Sequence, residues 1–281
     1  MIDILVEPLG YEFFVRGLAA ASIVGLVCAI VGSYMVLRGL VFMGDAISHS
    51  AFPGVVVAYL LAWPLYLGGA VAAVVTSLAI GWISRRGALR NDTTIGVLFA
   101  SMFALGIALF SAIPNYVGDL FAFLFGNVLG ISVDDLLGLG ILAAIVLAVV
   151  GIFWKELLYA TFDPLGAAAS GLPVGRLEYV FLALIALTIV VSLQAVGIIL
   201  VVAMLVTPAA TAQLISLRFS RLMAGAIVVG IASSVVGLYI SYWQDIASGA
   251  TIVLVQAVLF AIAFAFSPRV GLLSRRPVAA P

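Results

Sequence analysis

Apolar stretches, each interrupted by a short polar turn, follow one another along almost the whole chain. Stretches of about 20 apolar residues are the length that a helix needs to cross a bilayer, and a lipid-exposed chain must satisfy its backbone hydrogen bonds internally. The pattern therefore predicts an all-α, polytopic transmembrane helical bundle, with residues 1–281 forming one transmembrane domain. The predicted spans lie near residues 14–37, 41–62, 65–83, 94–113, 132–153, 177–194, 196–216, 222–242 and 249–267.

The number of crossings is open at one point. The sixth and seventh predicted spans stand so close together that merging them would give eight crossings instead of nine. A further apolar segment, Tyr116–Gly130, has only about 15 residues and is too short to span comfortably. It is expected to form a re-entrant or interfacial helix, or else a buried loop that packs its aromatic side chains on the bundle.

The basic residues are distributed unevenly between the predicted loops. With nine spans and the N-terminus outside, eleven of the twelve Lys and Arg residues fall on the cytoplasmic side, and only Arg16 falls outside. This asymmetry follows the positive-inside rule. We expect a multi-pass protein of the plasma membrane with its N-terminus outside and its C-terminus in the cytoplasm. Hydrophobic residues make up 65% of the chain and charged residues 9%, with zero net charge, so lipid is a predicted partner and nucleic acid is not.

Two rare polar residues, Asp45 and His49, stand four positions apart within the second predicted span. Side chains at this spacing share a helix face, with their Cβ atoms about 5–6 Å apart. A carboxylate at the centre of a bilayer costs about 2.5–3.5 kcal/mol and should face protein or water. We interpret the pair as metal ligands on a path through the membrane. The alternatives are that Asp45 caps the helix start and that His49 is an ordinary buried histidine.

His49 is the only histidine of the chain, so one chain cannot complete a metal site with imidazoles. A second copy related by a two-fold axis would double every ligand. The flanking Ser48 and Ser50 are interpreted as small packing residues. Together with Ala46 and Gly54, Ser50 forms a row of small residues that would let another helix approach closely.

The segment 162–173 predicts a short, deliberately delimited helix between two cytoplasmic basic residues. Asp163 suits the N-cap, Pro164 the first helical position and Gly171 a left-handed stop. Such a helix would serve as a coupling helix that docks on a soluble partner, or it is an ordinary connector. The residues assigned to it are Phe162, Asp163, Pro164, Leu165 and Gly171.

Several catalytic patterns are missing from the sequence. The only lysine, Lys155, does not follow a phosphate-binding glycine loop. The single histidine cannot form the His-Glu-x-x-His motif, and no Gly-x-Ser-x-Gly motif occurs. The chain is therefore expected to be a transporter and not an enzyme. ATP hydrolysis is expected in a separate partner subunit.

The segment Val36-Leu-Arg-Gly-Leu-Val-Phe-Met-Gly-Asp-Ala-Ile-Ser-His-Ser-Ala-Phe-Pro-Gly54 closely resembles the signature of ABC-3 family permeases, the bacterial manganese, zinc and iron importers. Four further segments resemble family blocks in family order, and together they cover nearly the whole chain. These segments are 92–106, 124–130, 161–164 and 196–210.

The resemblance implies a permease that works with cytoplasmic ATP-binding subunits, an extracytoplasmic metal-binding protein and a second permease chain, most simply an identical one. It also implies that Asp45 and His49 line the translocation path and that 162–173 is the coupling helix. The expected cargo is Mn²⁺, with Zn²⁺ next, and no intrinsic cofactor is expected. The alternatives are a passive divalent-cation channel and an importer specific for zinc or iron. A membrane enzyme that uses His49 as a base is a third class.

Overall fold

A computed structural model describes residues 6–86, 91–113 and 128–267, and all regular structure in these ranges is helical. Eight helices of this described part are long and apolar enough to cross a membrane, which confirms the predicted fold class. The helices are α1 (Glu12–Leu37), α2 (Val41–Leu60), α3 (Leu65–Arg85), α4 (Asn91–Ser111), α5 (Val133–Ile152), α6 (Trp154–Phe162), α7 (Pro164–Ala169), α8 (Val174–Ile215), α9 (Phe219–Gln244) and α10 (Ser248–Phe266). Two 3-10 turns occupy Glu7–Gly10 and Val128–Gly130.

A tight turn joins α1 to α2. Arg38 is the C-cap of α1, and Gly39 follows with a φ of 67°. The N–H of Leu40 donates to the carbonyl of Met35 at 3.0 Å, and that of Gly39 donates to Val36 at 3.2 Å. This is a Schellman motif, in which glycine takes the left-handed conformation without steric penalty. The turn sets the start of α2 directly beside the end of α1.

Helices α2 and α3 pack at backbone contact through Gly54 and Gly68. A Cβ added to either glycine would collide with the carbonyl oxygen of the other. Small residues at such a crossing let two membrane helices approach closely. The predicted small-residue row is therefore present in part as a packing surface, with Gly54 at the contact and Ala46 and Ser50 buried nearby on α2.

One end of the bundle, here called the arginine end, holds the end of α1. There the Tyr34 ring lies 6.2 Å from Trp154 of α6, 6.0 Å from Phe181 of α8 and 4.8 Å from Phe219 of α9. These contacts bring three helix starts to the same end. The described basic residues at helix ends on this side are Arg38, Arg85, Arg86, Lys155, Arg176, Arg218 and Arg221.

The opposite end, here called the acidic end, holds the start of α1. The Tyr242 ring of α9 lies 6.2 Å from Tyr11 and 5.5 Å from Phe14. Among the described residues at this end Arg16 is the one basic side chain, and the acidic ones are Glu7, Glu12, Asp134, Asp135 and Asp245. The two ends thus differ in charge in the way that the loop pattern predicts.

Helix α8 reverses its direction inside the bundle. Phe181 lies near its beginning and Phe219 lies just after its last residue, yet both contact Tyr34. Both ends of α8 are therefore at the arginine end. The reversal falls at Gly197, whose φ of 79° and ψ of 168° are outside helical values and are essentially restricted to glycine. The second arm, Leu200–Ile215, is shorter than the eight membrane-length helices, so the seventh predicted span, 196–216, is a short return arm.

The predicted short apolar segment Tyr116–Gly130 lies mostly outside the described residues. Only the turn Val128–Gly130 is described, and it packs on α1 at the acidic end, where a Cβ on Gly17 would lie 2.9 Å from the carbonyl oxygen of Val128. The basic and acidic loop residues that also fall outside the described ranges are Asp3, Arg90, Asp119, Arg269, Arg275 and Arg276.

Candidate functional site

Asp45 and His49 lie on one face of α2, as predicted from their spacing. Oδ1 of Asp45 and Nε2 of His49 are 3.4 Å apart. The Asp45 side chain is 50% exposed and that of His49 is 21% exposed, whereas Ile47 and Ser48 between them are buried. The N-cap of α2 is Leu40, so the capping alternative for Asp45 is wrong. The pair forms a polar patch on an open face of the chain.

Two aromatic rings of α4 hold the His49 imidazole edge-on. The ring centroid of His49 lies 5.2 Å from that of Phe99 and 5.1 Å from that of Phe103, with interplanar angles of 81° and 80°. The two phenyl rings are nearly parallel and 6.1 Å apart. Nδ1 of His49 is buried and has no hydrogen-bond partner among the described residues. The imidazole is thus fixed in orientation with Nε2 toward the carboxylate.

The serines beside His49 serve the helix itself. The hydroxyl of Ser48 donates to the carbonyl of Gly44 at 2.8 Å, and that of Ser50 donates to Ala46 at 2.6 Å. Both side chains are buried, which agrees with the packing interpretation. Neither hydroxyl is bonded to the imidazole, so the geometry offers no serine nucleophile activated by His49.

The distance within the pair suits two ligands of one ion. Two ligand atoms about 2.1 Å from a tetrahedrally coordinated metal are about 3.4 Å apart, and Oδ1 of Asp45 and Nε2 of His49 are separated by 3.4 Å. In the described part of the chain, no three His, Cys, Asp or Glu side chains lie close enough together to hold a metal ion. This pair could therefore supply two ligands from one chain, fewer than the four that a tetrahedral metal site takes.

The short helix α7 has the predicted caps. Oδ1 of Asp163 accepts a hydrogen bond from the N–H of Gly166 at 2.8 Å, and Pro164 occupies the first helical position. Beyond the C-cap, Gly171 has a φ of 87°. The caps satisfy backbone groups that a helix of six residues would otherwise leave open.

An apolar protrusion marks α7 at the arginine end. Leu165 is 84% exposed, and Phe162, just before the helix, is 59% exposed while its ring contacts Phe219 at 6.2 Å. Phe162 and Leu165 thus present apolar surface beside a helix whose two ends are capped.

Three residues, two beside His49 and one beside α6, have contacts that the sequence does not indicate. Phe99 and Phe103 stand four apart on α4, so their shared face was readable, but their contact with His49 was not. Arg38 was counted only as a loop charge. Its guanidinium bonds to Thr161, 123 positions away along the chain, and no local signal indicates a partner at that distance.

Membrane-length helices around a half-open carboxylate and imidazole pair define a polytopic membrane protein with a candidate cation path. Residues 10–267 match the profile of the family described as the ABC 3 transport family, and the chain belongs to this family. The predicted resemblance is thereby confirmed.

Curated relatives match over nearly the full chain. The manganese transport system membrane protein MntC of Halalkalibacterium halodurans is 44% identical over 96% of this chain and 92% of its own length. The chelated iron transport system membrane protein YfeC of Yersinia pestis is 39% identical over 98% of this chain and 94% of its own length. A solved structure, described as PsaBC from Streptococcus pneumoniae in complex with Fab, superposes with a TM-score of 0.86 at 37% identity, covering 96% of this chain and 98% of that one.

The chain is accordingly a membrane permease subunit of an ABC transporter, and ATP is hydrolysed by a separate subunit in such systems. This agrees with the missing phosphate-binding loop and confirms that the chain is not an enzyme. Family membership also sets aside the passive channel and the membrane enzyme as primary functions.

Proposed function

We propose that this chain is the permease of an importer that carries a divalent transition metal across the plasma membrane, with Mn²⁺ as the expected cargo. The observation that carries the proposal is the 3.4 Å approach of Asp45 Oδ1 and His49 Nε2 on a half-open face of α2. Manganese transport in the name of the relative MntC supports this metal class.

Ligand chemistry alone leaves the metal open within this class. One carboxylate oxygen and one imidazole nitrogen accommodate Mn²⁺, Fe²⁺ and Zn²⁺. Zn²⁺ is the next candidate, and Fe²⁺ is supported by the chelated iron transport named in the relative YfeC.

A second permease chain would complete the site. The Asp45 side chain is half exposed on a helix whose neighbouring positions are buried, so a carboxylate in the membrane region lacks full shielding from its own chain. Two copies meeting at this face would bring two carboxylates and two imidazoles around one ion. A two-fold axis supplies this without any further ligand in the sequence.

The driving force would enter through α7. A cytoplasmic ATP-binding subunit would seat Leu165 in an apolar groove, and its ATP-dependent motion would displace α7 as a rigid unit because both helix ends are capped. The ion site would then alternate between access from outside and access from inside.

The charge of the bundle supports one orientation. The arginine end would face the cytoplasm and the acidic end the outside, as the positive-inside rule requires. The N-terminus is then outside and the C-terminus inside. An extracytoplasmic metal-binding protein would deliver the ion at the acidic end.

The test is ATP-driven uptake of radioactive Mn²⁺ by proteoliposomes that contain the permease with its ATP-binding subunits, with the metal-binding protein supplied on the outside. Asp45→Asn and His49→Gln are each expected to reduce uptake to the level without ATP, because each removes one of the two ligands, while the complex still assembles. Asp134→Asn removes an exposed carboxylate at the acidic end and should transport at the wild-type rate. Wild-type uptake by Asp45→Asn would refute the assignment of the site.

Competition in the same vesicles decides the cargo. Excess Fe²⁺ or Zn²⁺ is expected to slow Mn²⁺ uptake without being accumulated as fast as Mn²⁺. Faster ATP-driven accumulation of Zn²⁺ than of Mn²⁺ would reassign the cargo to zinc and leave the site itself intact.

A further inference from the structure

Arg38 joins three helices at the arginine end. Its Nε donates to the hydroxyl oxygen of Thr161 at 2.9 Å, and Nη2 donates to the carbonyl of Leu157 at 3.3 Å. The Thr161 hydroxyl itself donates to the same carbonyl of Leu157 at 2.6 Å. On its other side the guanidinium carbon lies 4.3 Å from the ring centroid of Phe181 on α8. Two contacts therefore go to α6 and one to α8.

This set of contacts requires the shape of an arginine. A planar guanidinium can direct two N–H groups along α6 and stack a flat face on an aromatic ring at the same time, whereas a lysine ammonium is a point charge without a plane. Burial lowers the pKa of Arg38, and the nearby Glu178 and Tyr34 oppose that shift. An arginine keeps its proton under such conditions, so the bonds to α6 are made by a cation.

Arg38 and Thr161 each lie close in sequence to one of the two helices that the transport cycle would move, so their contact connects those helices. Thr161 lies two residues before Asp163, which caps α7, so a displacement of α7 acts directly on it. Arg38 is followed by Gly39 and Leu40, after which α2 begins and carries Asp45 in its second turn. The Arg38 to Thr161 bond therefore links the segment beside α7 to the turn that leads into α2, the helix that carries Asp45 and His49.

The aromatic contacts of α6 would not transmit motion in the same way. The Trp154 and Tyr34 rings are 6.2 Å apart and nearly perpendicular, and such contacts hold rings together without fixing one direction of sliding. Two hydrogen bonds from one rigid group do fix a direction, since they weaken steeply when misaligned. The two hydrogen bonds from the Arg38 guanidinium to α6 are thus the contacts that can transmit motion in a defined direction.

We propose that Arg38 is a positioning residue that transmits displacement of α6 and α7 to the start of α2, and thereby couples ATP hydrolysis to rearrangement of the Asp45 and His49 site. This inference rests on the proposed function, because it assigns a role within the same transport cycle. Arg38 does not touch the ion; it acts through the position of α2.

The experiment uses the full permease with its ATP-binding subunits in lipid vesicles or nanodiscs. Arg38→Lys keeps the positive charge but loses the planar guanidinium that makes two hydrogen bonds to α6. Thr161→Val removes the hydroxyl acceptor at nearly constant side-chain volume. Arg218→Lys is the matched control, because Arg218 lies exposed at the same end of the bundle. Should Arg38→Lys fail to assemble, Thr161→Val decides the question by the same readouts.

The first readout is the number of Mn²⁺ ions transported per ATP hydrolysed. Arg38→Lys is expected to lower this ratio several-fold, because a lysine ammonium cannot direct two N–H groups along α6 and stack on Phe181 at the same time, while the ATPase rate and the affinity for Mn²⁺ stay close to the wild-type values. A merely structural role would lower assembly, hydrolysis and uptake together and leave the ratio unchanged, and that result would overturn the proposal.

The second readout needs no metal. Hydrogen–deuterium exchange is followed in segments 154–169 and 38–49 with and without ATP. In the wild type and in Arg218→Lys, ATP should change exchange in both segments. In Arg38→Lys the change should persist in 154–169 and be lost in 38–49. An unaltered response in both segments would overturn the role of Arg38, whereas an intact response with no metal uptake by the wild type would refute the proposed function alone.

Discussion

The His49 imidazole is the residue on which the site depends most, and carbon groups hold it in place. Phe99 and Phe103 approach it edge-on at 5.2 Å and 5.1 Å, and no other imidazole exists in the chain. Groups around a metal ligand commonly set its orientation and affect affinity as strongly as some ligands do. In the proposed site that task would fall to phenyl rings, since Nδ1 of His49 has no hydrogen-bond partner among the residues described.

Shortening Phe103 should therefore weaken metal binding without removing a ligand. For Phe103→Ala we expect the dissociation constant of Mn²⁺, measured by titration of the permease in nanodiscs, to rise by about tenfold, because the imidazole gains rotational freedom. Phe103→Leu refills most of the space and should recover most of the affinity.

The control for this prediction is Phe260→Ala on α10. Phe260 also stacks on a phenylalanine, Phe264, at 6.4 Å, but α10 carries neither Asp45 nor His49. Phe260→Ala should leave the dissociation constant of Mn²⁺ unchanged. Equal losses in Phe103→Ala and Phe260→Ala would mean that general loosening of the bundle, and not the orientation of His49, sets the affinity.

At this scale the sequence was informative where the chemistry is local. The spacing of Asp45 and His49 predicts a shared face because helix geometry alone places positions four apart together. The partners of His49 on α4 and of Arg38 on α6 depend on how helices pack, and a single sequence carries no direct signal for that packing. The same limit explains why Arg38 was grouped with ordinary loop charges.

At the scale of elements, α7 owes its form to caps. An isolated helix of six residues would be unstable in water, because helix nucleation is unfavourable and so short a helix forms few backbone hydrogen bonds to offset it. The Asp163 cap and the left-handed Gly171 satisfy its ends, and α6 anchors it to the aromatic contacts around Tyr34. The outcome is a small rigid body that presents Leu165 to the solvent.

Removing that side chain should weaken docking of the ATP-binding subunit. For Leu165→Ala we expect at least about 1 kcal/mol of lost binding free energy, the scale of an interface anchor, seen as weaker copurification and slower uptake. Leu217→Ala is the matched control, because Leu217 is also strongly exposed, at 66%, and lies at the same end. Equal effects of both variants would indicate a broad contact and not a docking helix.

The elements differ in how well their sequences predict them. The bounds of α7 follow from Asp163, Pro164 and Gly171, which act within a few residues of their own positions. The reversal in α8 falls where the predicted spans 177–194 and 196–216 adjoin, but the residue at which it occurs was not readable, because Val196 to Leu200 is uniformly apolar around Gly197 and hydropathy reports the length of an apolar stretch without its direction. A glycine inside a long apolar run was the one available sign.

At the scale of the whole molecule, two properties make the orientation accessible to experiment. Charge separates the arginine end from the acidic end, and the one cysteine, Cys28, is fully buried. A buried thiol reacts poorly with aqueous reagents, so the native chain should give little background labelling by thiol-reactive probes. Cysteines introduced at exposed positions then report which end of the bundle faces each side of the membrane.

Asp134→Cys and Ile246→Cys place a thiol at the acidic end, and Ala169→Cys and Leu217→Cys place one at the arginine end. A membrane-impermeant maleimide should label the first two in intact cells, because the positive-inside rule sets the acidic end outside. The other two should react only after permeabilisation, and the unaltered chain should stay unlabelled in both states. Leu217→Cys is the decisive position: if α8 continued across the membrane without turning at Gly197, this thiol would react in intact cells together with Asp134→Cys.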